Sequence, residues 1–224
     1  VLCGRDEEAL KKVATEFTHD YKIKVRSLSV DLAATKSVEN LFEFLSHDEL
    51  PQVLVCNAGN YGTLGQFESA NFNEWKQSFD LNFFSVANLI QNYVRVAKAQ
   101  KSVGRGRRKI VVMGGAGLGA SKVWQGISAY SVAKAALYRL VEVLHEELNA
   151  QGFDINCIAP GAVNTGITEQ ALQVGKAALG AVYEMSEKVK AQGGDSPDLV
   201  SNTIRRLVSP PCDGLSGRLL SAKW

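Results

Sequence analysis

Short runs of β-branched and aliphatic residues alternate along this chain with longer stretches whose apolar positions recur at helical spacing. Residues 1–3 read as the end of a strand. Residues 6–17 (DEEALKKVATEF), with acids first and apolar positions three and four apart, predict a helix. Residues 24–30 predict a strand, 37–45 a helix, and 52–56 (QVLVC) a short apolar strand ending at Asn57–Ala58–Gly59. A long helical stretch over about 72–98 follows, then a buried-type strand at 109–113 (KIVVM). The remainder predicts a helix over 128–149, a strand over 154–159, a helix over 197–208 and a last strand around 218–221. Nearly continuous apolar strands, each followed by a helix, imply a parallel sheet covered on both faces, because each crossover helix must pack back on the sheet. The expected fold is therefore a doubly wound α/β domain, in which ligands bind at the carboxyl ends of the strands.

Composition narrows the function classes. The 224 residues are 46% hydrophobic and 21% charged, enough apolar content for the core of one globular domain. Lys plus Arg number 25 against 23 for Asp plus Glu, so the net charge of +2 gives no global basic field for nucleic acid or an anionic membrane. No apolar run approaches the ~20 residues that span a bilayer, and no signal-peptide pattern stands at Val1. Cys3, Cys56, Cys157 and Cys212 lie far apart without CxxC pairing, which argues against a disulfide framework or a zinc site and for a reducing, cytoplasmic setting. His19, His47 and His145 have no metal-ligand spacing, so no metal is expected. The basic cluster Lys101, Arg105, Arg107, Arg108 and Lys109 reads as a solvated loop, with no interleaved aromatics to support nucleic-acid binding. Trp75, at helical spacing with Phe72 and Phe79, reads as a core or helix-interface residue.

The candidate chemistry follows the KIVVM strand. A glycine-rich loop (Gly114, Gly115, Gly117, Gly119) precedes Tyr130 and Lys134, which form YSVAK at the start of a helix and share one helical face. A phenol ionises near pH ~10 and exchanges protons poorly at neutral pH unless that value falls. A neighbouring ammonium favours the phenolate, so the pair is expected to act as a proton-transfer device with Lys134 lowering the tyrosine pKa. The loop's spacing fits neither G-x-G-x-x-G nor G-x-x-x-x-G-K-[ST].

YSVAK does not stand alone. Asn57–Ala58–Gly59 after a buried strand, Asn82 inside a helix as LN, YSVAK, and PGAVNT at 160–165 occur in this order. Together they make the whole chain resemble the short-chain dehydrogenase/reductase family, which implies a Rossmann-like, three-layer α/β/α fold. The resemblance implies that Tyr130 is the general acid/base, that Lys134 binds the nicotinamide ribose, and that Asn82 holds a water in the proton relay. It further implies that Asn57, Ala58 and Gly59 line the cofactor, and that Pro160, Gly161, Val163 and Thr165 surround the nicotinamide amide and pyrophosphate. Asp31 and Leu32 are then the adenine contact. The bland readings are a strand-end cap for Asn57, a buried polar group for Asn82 and a helix cap for Asp31.

At the end of the second strand of such a fold an acidic residue would repel a 2′-phosphate. Gly4 stands there instead, followed by Arg5, whose guanidinium can grip a phosphate, so NADP(H) is expected over NAD(H). The resemblance implies interconversion of a carbonyl and a secondary alcohol, in a homodimer or homotetramer. A substrate lid is expected over 167–194, with Leu172, Val174, Leu179, Val182, Tyr183 and Met185 as its apolar wall.

Two departures from the family pattern stand out. The family's opening strand and glycine-rich phosphate turn are not in this sequence, so the chain reads as lacking its first βα unit and is expected to bind cofactor poorly. The serine that orients the substrate carbonyl is replaced by Gly114 or Gly115, leaving Ser121, Ser128, loop N–H groups or a water as substitutes. The alternative reading is a catalytically silent dinucleotide-binding regulatory protein of the same fold.

Overall fold

The computed structural model describes residues 1–46, 50–100, 106–115, 118 and 123–223. Strands β1 (Leu2–Gly4), β2 (Ser27–Ser29), β3 (Val53–Cys56), β4 (Arg108–Met113), β5 (Phe153–Ala159) and β6 (Leu219–Ser221) are all parallel to their neighbours. Between them run α1 (Glu7–Tyr21), α2 (Thr35–Ser46), α3 (Phe72–Phe79), α4 (Ser85–Ala99) and α5 (Ser128–Leu148). After β5 come α6 (Gly166–Val174), α7 (Lys176–Leu179), α8 (Ala181–Gln192) and α9 (Pro197–Leu207).

The helices begin where local chemistry allows. Asp6 caps α1 by accepting from Ala9 N at 2.9 Å, with Glu7 and Glu8 in the first turn against the positive end of the helix dipole. Asn71 caps α3 through the N–H groups of Asn73 and Glu74, and Ser196 precedes Pro197 at the start of α9.

β3–β4–β5–β6 form one sheet in which Cys56, Val112 and Cys157 stand side by side in register. β1 and β2 form a separate pair, with no ladder joining them to β3 among the described residues, where one continuous sheet was expected. The two parts nevertheless share a core. Val30 and the α2 residues Val38, Leu41 and Phe42 pack with Leu89, Ile90 and Tyr93 of α4, with Leu137 and Val141 of α5, and with Ile110, Val112 and Ile155 of the sheet. Val111, Met113 and Ile158 point the other way, against Leu207 and its α9 neighbours Val200 and Ile204. This period-two division of β4 makes the three layers.

The long helix expected over 72–98 is interrupted. Asp80–Phe84 form a π-helical segment between α3 and α4. Its wider turn carries Asn82 inward to complete burial, with Asn82 Nδ2 donating to Ser78 O at 2.9 Å.

At the amino ends of β4 and β5 the basic cluster differs from its expected role. Lys109, 4% exposed, and Arg107 both bind the buried Asp154 carboxylate, at 2.8 and 2.7 Å. Asp154 also accepts from Gly214 N and Asn149 Nδ2, while Lys109 reaches Asp213. Arg108 Nη1 donates to Pro51 O at 3.2 Å and its guanidinium lies over the Tyr93 ring. The pairing energy of a buried carboxylate between two cations explains why these charges are not solvated. Lys101 and Arg105 lie outside the described residues. Trp75 is half-buried as expected, stacked on Phe72 and packed against Phe79 and Phe67.

Candidate active site

The expected site residues lie beyond the carboxyl ends of their strands. Asn57–Ala58–Gly59 follow β3, Gly114–Gly115 follow β4, and residues 160–165 follow β5, while Tyr130 and Lys134 occupy the first two turns of α5. Lys134 is 3% exposed, and its Nζ donates to Met113 O at the end of β4 at 2.9 Å. Asn60 N donates to Asn82 Oδ1 at 3.2 Å. A Cβ built on Gly59 would stand 3.0 Å from Asn82 Oδ1 and 3.5 Å from Lys134 Nζ. Gly59, Asn82 and Lys134, scattered in sequence, therefore meet at one point, and the close approach there favours glycine.

Tyr130 is 6% exposed and faces the backbone of Gly115. A Cβ at Gly115 would lie 2.8 Å from Tyr130 Cζ and closer still to its hydroxyl. Lys134 Nζ sits 5.6 Å from the centroid of the Tyr130 ring.

The electrostatics differ from the expected lowering of the phenol pKa. Burial, followed by the neighbouring Tyr61, raises the pKa of Tyr130 above its ordinary value. Burial also disfavours the Lys134 ammonium and brings its pKa down to about 8, partly offset by the Cys157 and Cys56 thiols. The physical reason is that the ammonium is directed to Met113 O and both groups are desolvated, so burial outweighs their mutual attraction. A raised pKa keeps Tyr130 a protonated phenol at neutral pH, the form required of a proton donor.

The remaining expected residues are less gathered. Arg5 is exposed just after β1, and its guanidinium has no partner among the described residues. Asp31 is exposed after β2 and its carboxylate accepts from Ala33 N at 3.0 Å, a local turn before α2; Leu32 packs against the main core. Pro160 and Gly161 lead into Val163, which bridges to Gly194, and Asp195 Oδ2 accepts from Ala162 N at 2.6 Å. That bond and Lys223 hold the Asp195 carboxyl below the usual range. Thr165 precedes α6 with its hydroxyl making no capping bond.

Of the serines weighed as substitutes, Ser121 lies outside the described residues, as do Gly117 and Gly119. Ser128 Oγ accepts from Trp75 Nε1 at 3.0 Å, which ties it to α3.

Helices α6–α8 fill the span expected for a lid. Ala171, Leu179 and Val182 are buried in one cluster with Tyr130, Tyr61 and Ile127, and Ile167 and Tyr183 pack on it. Val174, by contrast, is exposed. Tyr61, Ile127 and Gln170, which accepts from Tyr61 N, are members of this region that the motifs did not indicate. The signal for Tyr61 was its place two residues after Gly59, on the loop leaving a strand's carboxyl end.

Comparison with known proteins places the chain in a family. The family profile for short chain dehydrogenases matches residues 1–174. The chain belongs to the short-chain dehydrogenase/reductase family. It is 27% identical over 196 residues to a short chain dehydrogenase, andI, of Emericella variicolor, covering 88% of this chain and 58% of that protein's length. It is 26% identical over 220 residues to the 3-oxoacyl-[acyl-carrier-protein] reductase FabG of Rickettsia bellii, covering 98% of this chain and 83% of the relative. Among solved structures, L-sorbose reductase from Gluconobacter frateurii complexed with NADPH and L-sorbose superposes with a TM-score of 0.81 at 22% identity, covering 98% of this chain and 83% of that one. That likeness establishes the shared fold.

Proposed function

We propose that this protein is an NADP(H)-dependent oxidoreductase that interconverts a carbonyl and a secondary alcohol, with Tyr130 exchanging the proton at the substrate oxygen. The observation that carries the reading is the convergence of Tyr130, Lys134 and Asn82 on the backbone of Gly59 and Gly115, with the Tyr130 hydroxyl making no hydrogen bond among the described residues. Lys134 supports a dinucleotide in the same way. Its ammonium has three donors, one of them answered by an acceptor among the described residues, in a nearly closed site that suits ribose hydroxyls. A bound nicotinamide dinucleotide supplies the hydride. Lys134, Asn57, Ala58, Gly59, Pro160, Gly161, Val163 and Thr165 would hold it, with Asp31 and Leu32 toward the adenine. Tyr130 gives its proton to the oxygen in reduction and takes it back in oxidation, and the relay through Asn82 replaces that proton.

Arg5 and the absence of an acid at Gly4 support NADP(H), as do the NADPH of the sorbose reductase complex and a guanidinium without a partner among the described residues. Arg5→Ala is expected to weaken NADPH binding roughly ten- to hundredfold while leaving NADH little changed. Titration of cofactor fluorescence measures both, and equal losses would count against the assignment. A homodimer or homotetramer through α4 and α5, and a cytoplasmic setting suited to four free cysteines, belong to the same reading.

Lys134 also predicts a pH limb. As pH rises through about 8 the buried ammonium loses its charge in the free protein, so kcat/KM for NADPH should decline on the alkaline side of that value. A profile flat to pH 10 would contradict the role given to Lys134.

The second reading, a silent dinucleotide-binding regulator, draws support from glycine in place of the family serine. NADPH oxidation with acetoacetyl-coenzyme A, hexanal and phenanthrenequinone separates the two. Turnover lost in Tyr130→Phe supports the enzyme, whereas tight NADPH binding without any turnover supports the regulator.

A further inference from the structure

Two buried phenols stand beside one another in this site. Tyr61 is 4% exposed, and its ring meets that of Tyr130 edge-on, with centroids 5.0 Å apart and planes at 77°. Gln170 Oε1 on α6 fixes the loop by accepting from Tyr61 N at 3.1 Å. Around the pair lie the apolar side chains of Ile127, Ala171, Leu179 and Val182. Neither hydroxyl has a hydrogen-bond partner among the described residues, and the two do not bond to each other. Nor is either hydroxyl among the fully enclosed unpartnered atoms of the described residues, so the rings are buried while each O–H still reaches open space at the site. Two unanswered donors on neighbouring rings at the edge of an apolar cluster suit one oxygen that can accept from both, and a carbonyl oxygen has the two lone pairs required.

The position of the family's serine is crowded for a side chain at Gly114 and obstructed by Tyr130 at Gly115. At Gly115 a Cβ would press into Tyr130, with Cζ at 2.8 Å and Cε1 at 2.9 Å. At Gly114 it would meet Cys157 Sγ and Leu118 Cδ1 at 3.0 Å. The orienting donor then comes from elsewhere: Ser128 Oγ is tied toward α3 by accepting from Trp75 Nε1, whereas the Tyr61 ring packs directly on that of Tyr130.

We propose that Tyr61 is a second catalytic donor, whose phenol hydrogen-bonds the substrate's carbonyl oxygen and orients it for proton transfer from Tyr130. The proposal rests on the role given to Tyr130 above. Tyr61 makes and releases a hydrogen bond and keeps its proton; the proton that ends on the alcohol oxygen comes from Tyr130. Burial raises the Tyr61 pKa, which keeps its O–H available as a donor through the neutral range. The same geometry points to the substrate class: a carbonyl flanked by apolar or aromatic groups, seated on the partly exposed residues that pack over this cluster, Leu64, Ile167 and Tyr183.

The test compares Tyr61→Phe, Tyr130→Phe and the unaltered protein in NADPH oxidation with phenanthrenequinone as the carbonyl probe. Phe keeps the edge-on ring packing, so a merely structural Tyr61 predicts kcat within about twofold. The proposal predicts a kcat lower by about 10²–10³-fold, the usual cost of one donor to a developing oxyanion, with Tm and NADPH affinity unchanged. It also predicts that adding Gly115→Ser to Tyr61→Phe restores nothing, because that side chain collides with Tyr130. An undiminished kcat in Tyr61→Phe, beside an inactive Tyr130→Phe, would overturn the Tyr61 assignment and leave the proposed function standing. Full activity in Tyr130→Phe would overturn both.

Discussion

Tyr130→Phe is expected to lower kcat for carbonyl reduction by about 10²–10⁴-fold, the range that a positioned general acid contributes. The substitution removes one oxygen from a side chain that is 6% exposed and packed edge-on against Tyr61, so the surrounding cluster with Ile127, Leu179 and Val182 keeps its shape. Because the hydroxyl bonds to no described residue, its loss leaves no protein group newly unsatisfied, and Tm should change little or rise slightly. Affinity for NADPH should also persist, since Lys134 and the loops after β3 and β5 are untouched. The effect is therefore confined to kcat, which separates a proton-transfer role from a binding or folding role. Steady-state kinetics, cofactor titration and a melting curve on one preparation suffice to check it.

The largest expected loss of stability lies at the opposite end of the sheet. Asp154 is buried between Arg107 and Lys109 and also accepts from Gly214 N and Asn149 Nδ2. Asp154→Ala would leave Lys109, 5% exposed at its side chain, with Asp213 and the Cys212 carbonyl as its remaining partners among the described residues, and would strand Gly214 N. Breaking a buried pair from one side costs about 3–5 kcal/mol, which for a domain of this size lowers Tm by roughly 6–20 °C. The damage should stay remote from Tyr130: cofactor affinity and kcat measured well below the melting transition should hold. A Tm within a degree or two of the unaltered protein would show that the network is not structural.

The fold was legible because apolar strands and amphipathic helices differ in period, and that difference survives in short segments such as QVLVC and KIVVM. Element ends were less so: the strand read over 24–30 pairs only over Ser27–Ser29, since Lys24 and its neighbours have no partner strand to choose their conformation. The π segment at Asp80–Phe84 left no trace in the pattern, because its residues suit an ordinary helix and only the burial of Asn82 selects the wider turn. The basic cluster was misread for a related reason. Lys109 and Asp154 are cross-strand partners 45 residues apart, and no local pattern announces a register.

At the site, the residues brought together at Gly59 were readable from their motifs, but the direction of the Tyr130 shift was not. A spacing of four places two side chains on one face; it does not say that both are desolvated or that the ammonium is directed to Met113 O. Tyr61 escaped because its importance comes from what surrounds it, an apolar cluster completed by helices more than a hundred residues later.

The central claim is that the Tyr130 phenol delivers the proton to the substrate oxygen. A single-turnover experiment tests it most directly, mixing NADPH-loaded protein with phenanthrenequinone and measuring NADPH consumed and reduced product formed, for the unaltered chain and Tyr130→Phe in parallel. The account predicts one product per NADPH in the unaltered protein, and a variant that binds NADPH equally well but forms almost none over the same interval. Equal rates in the two proteins, or NADPH binding with no turnover in either, would contradict it.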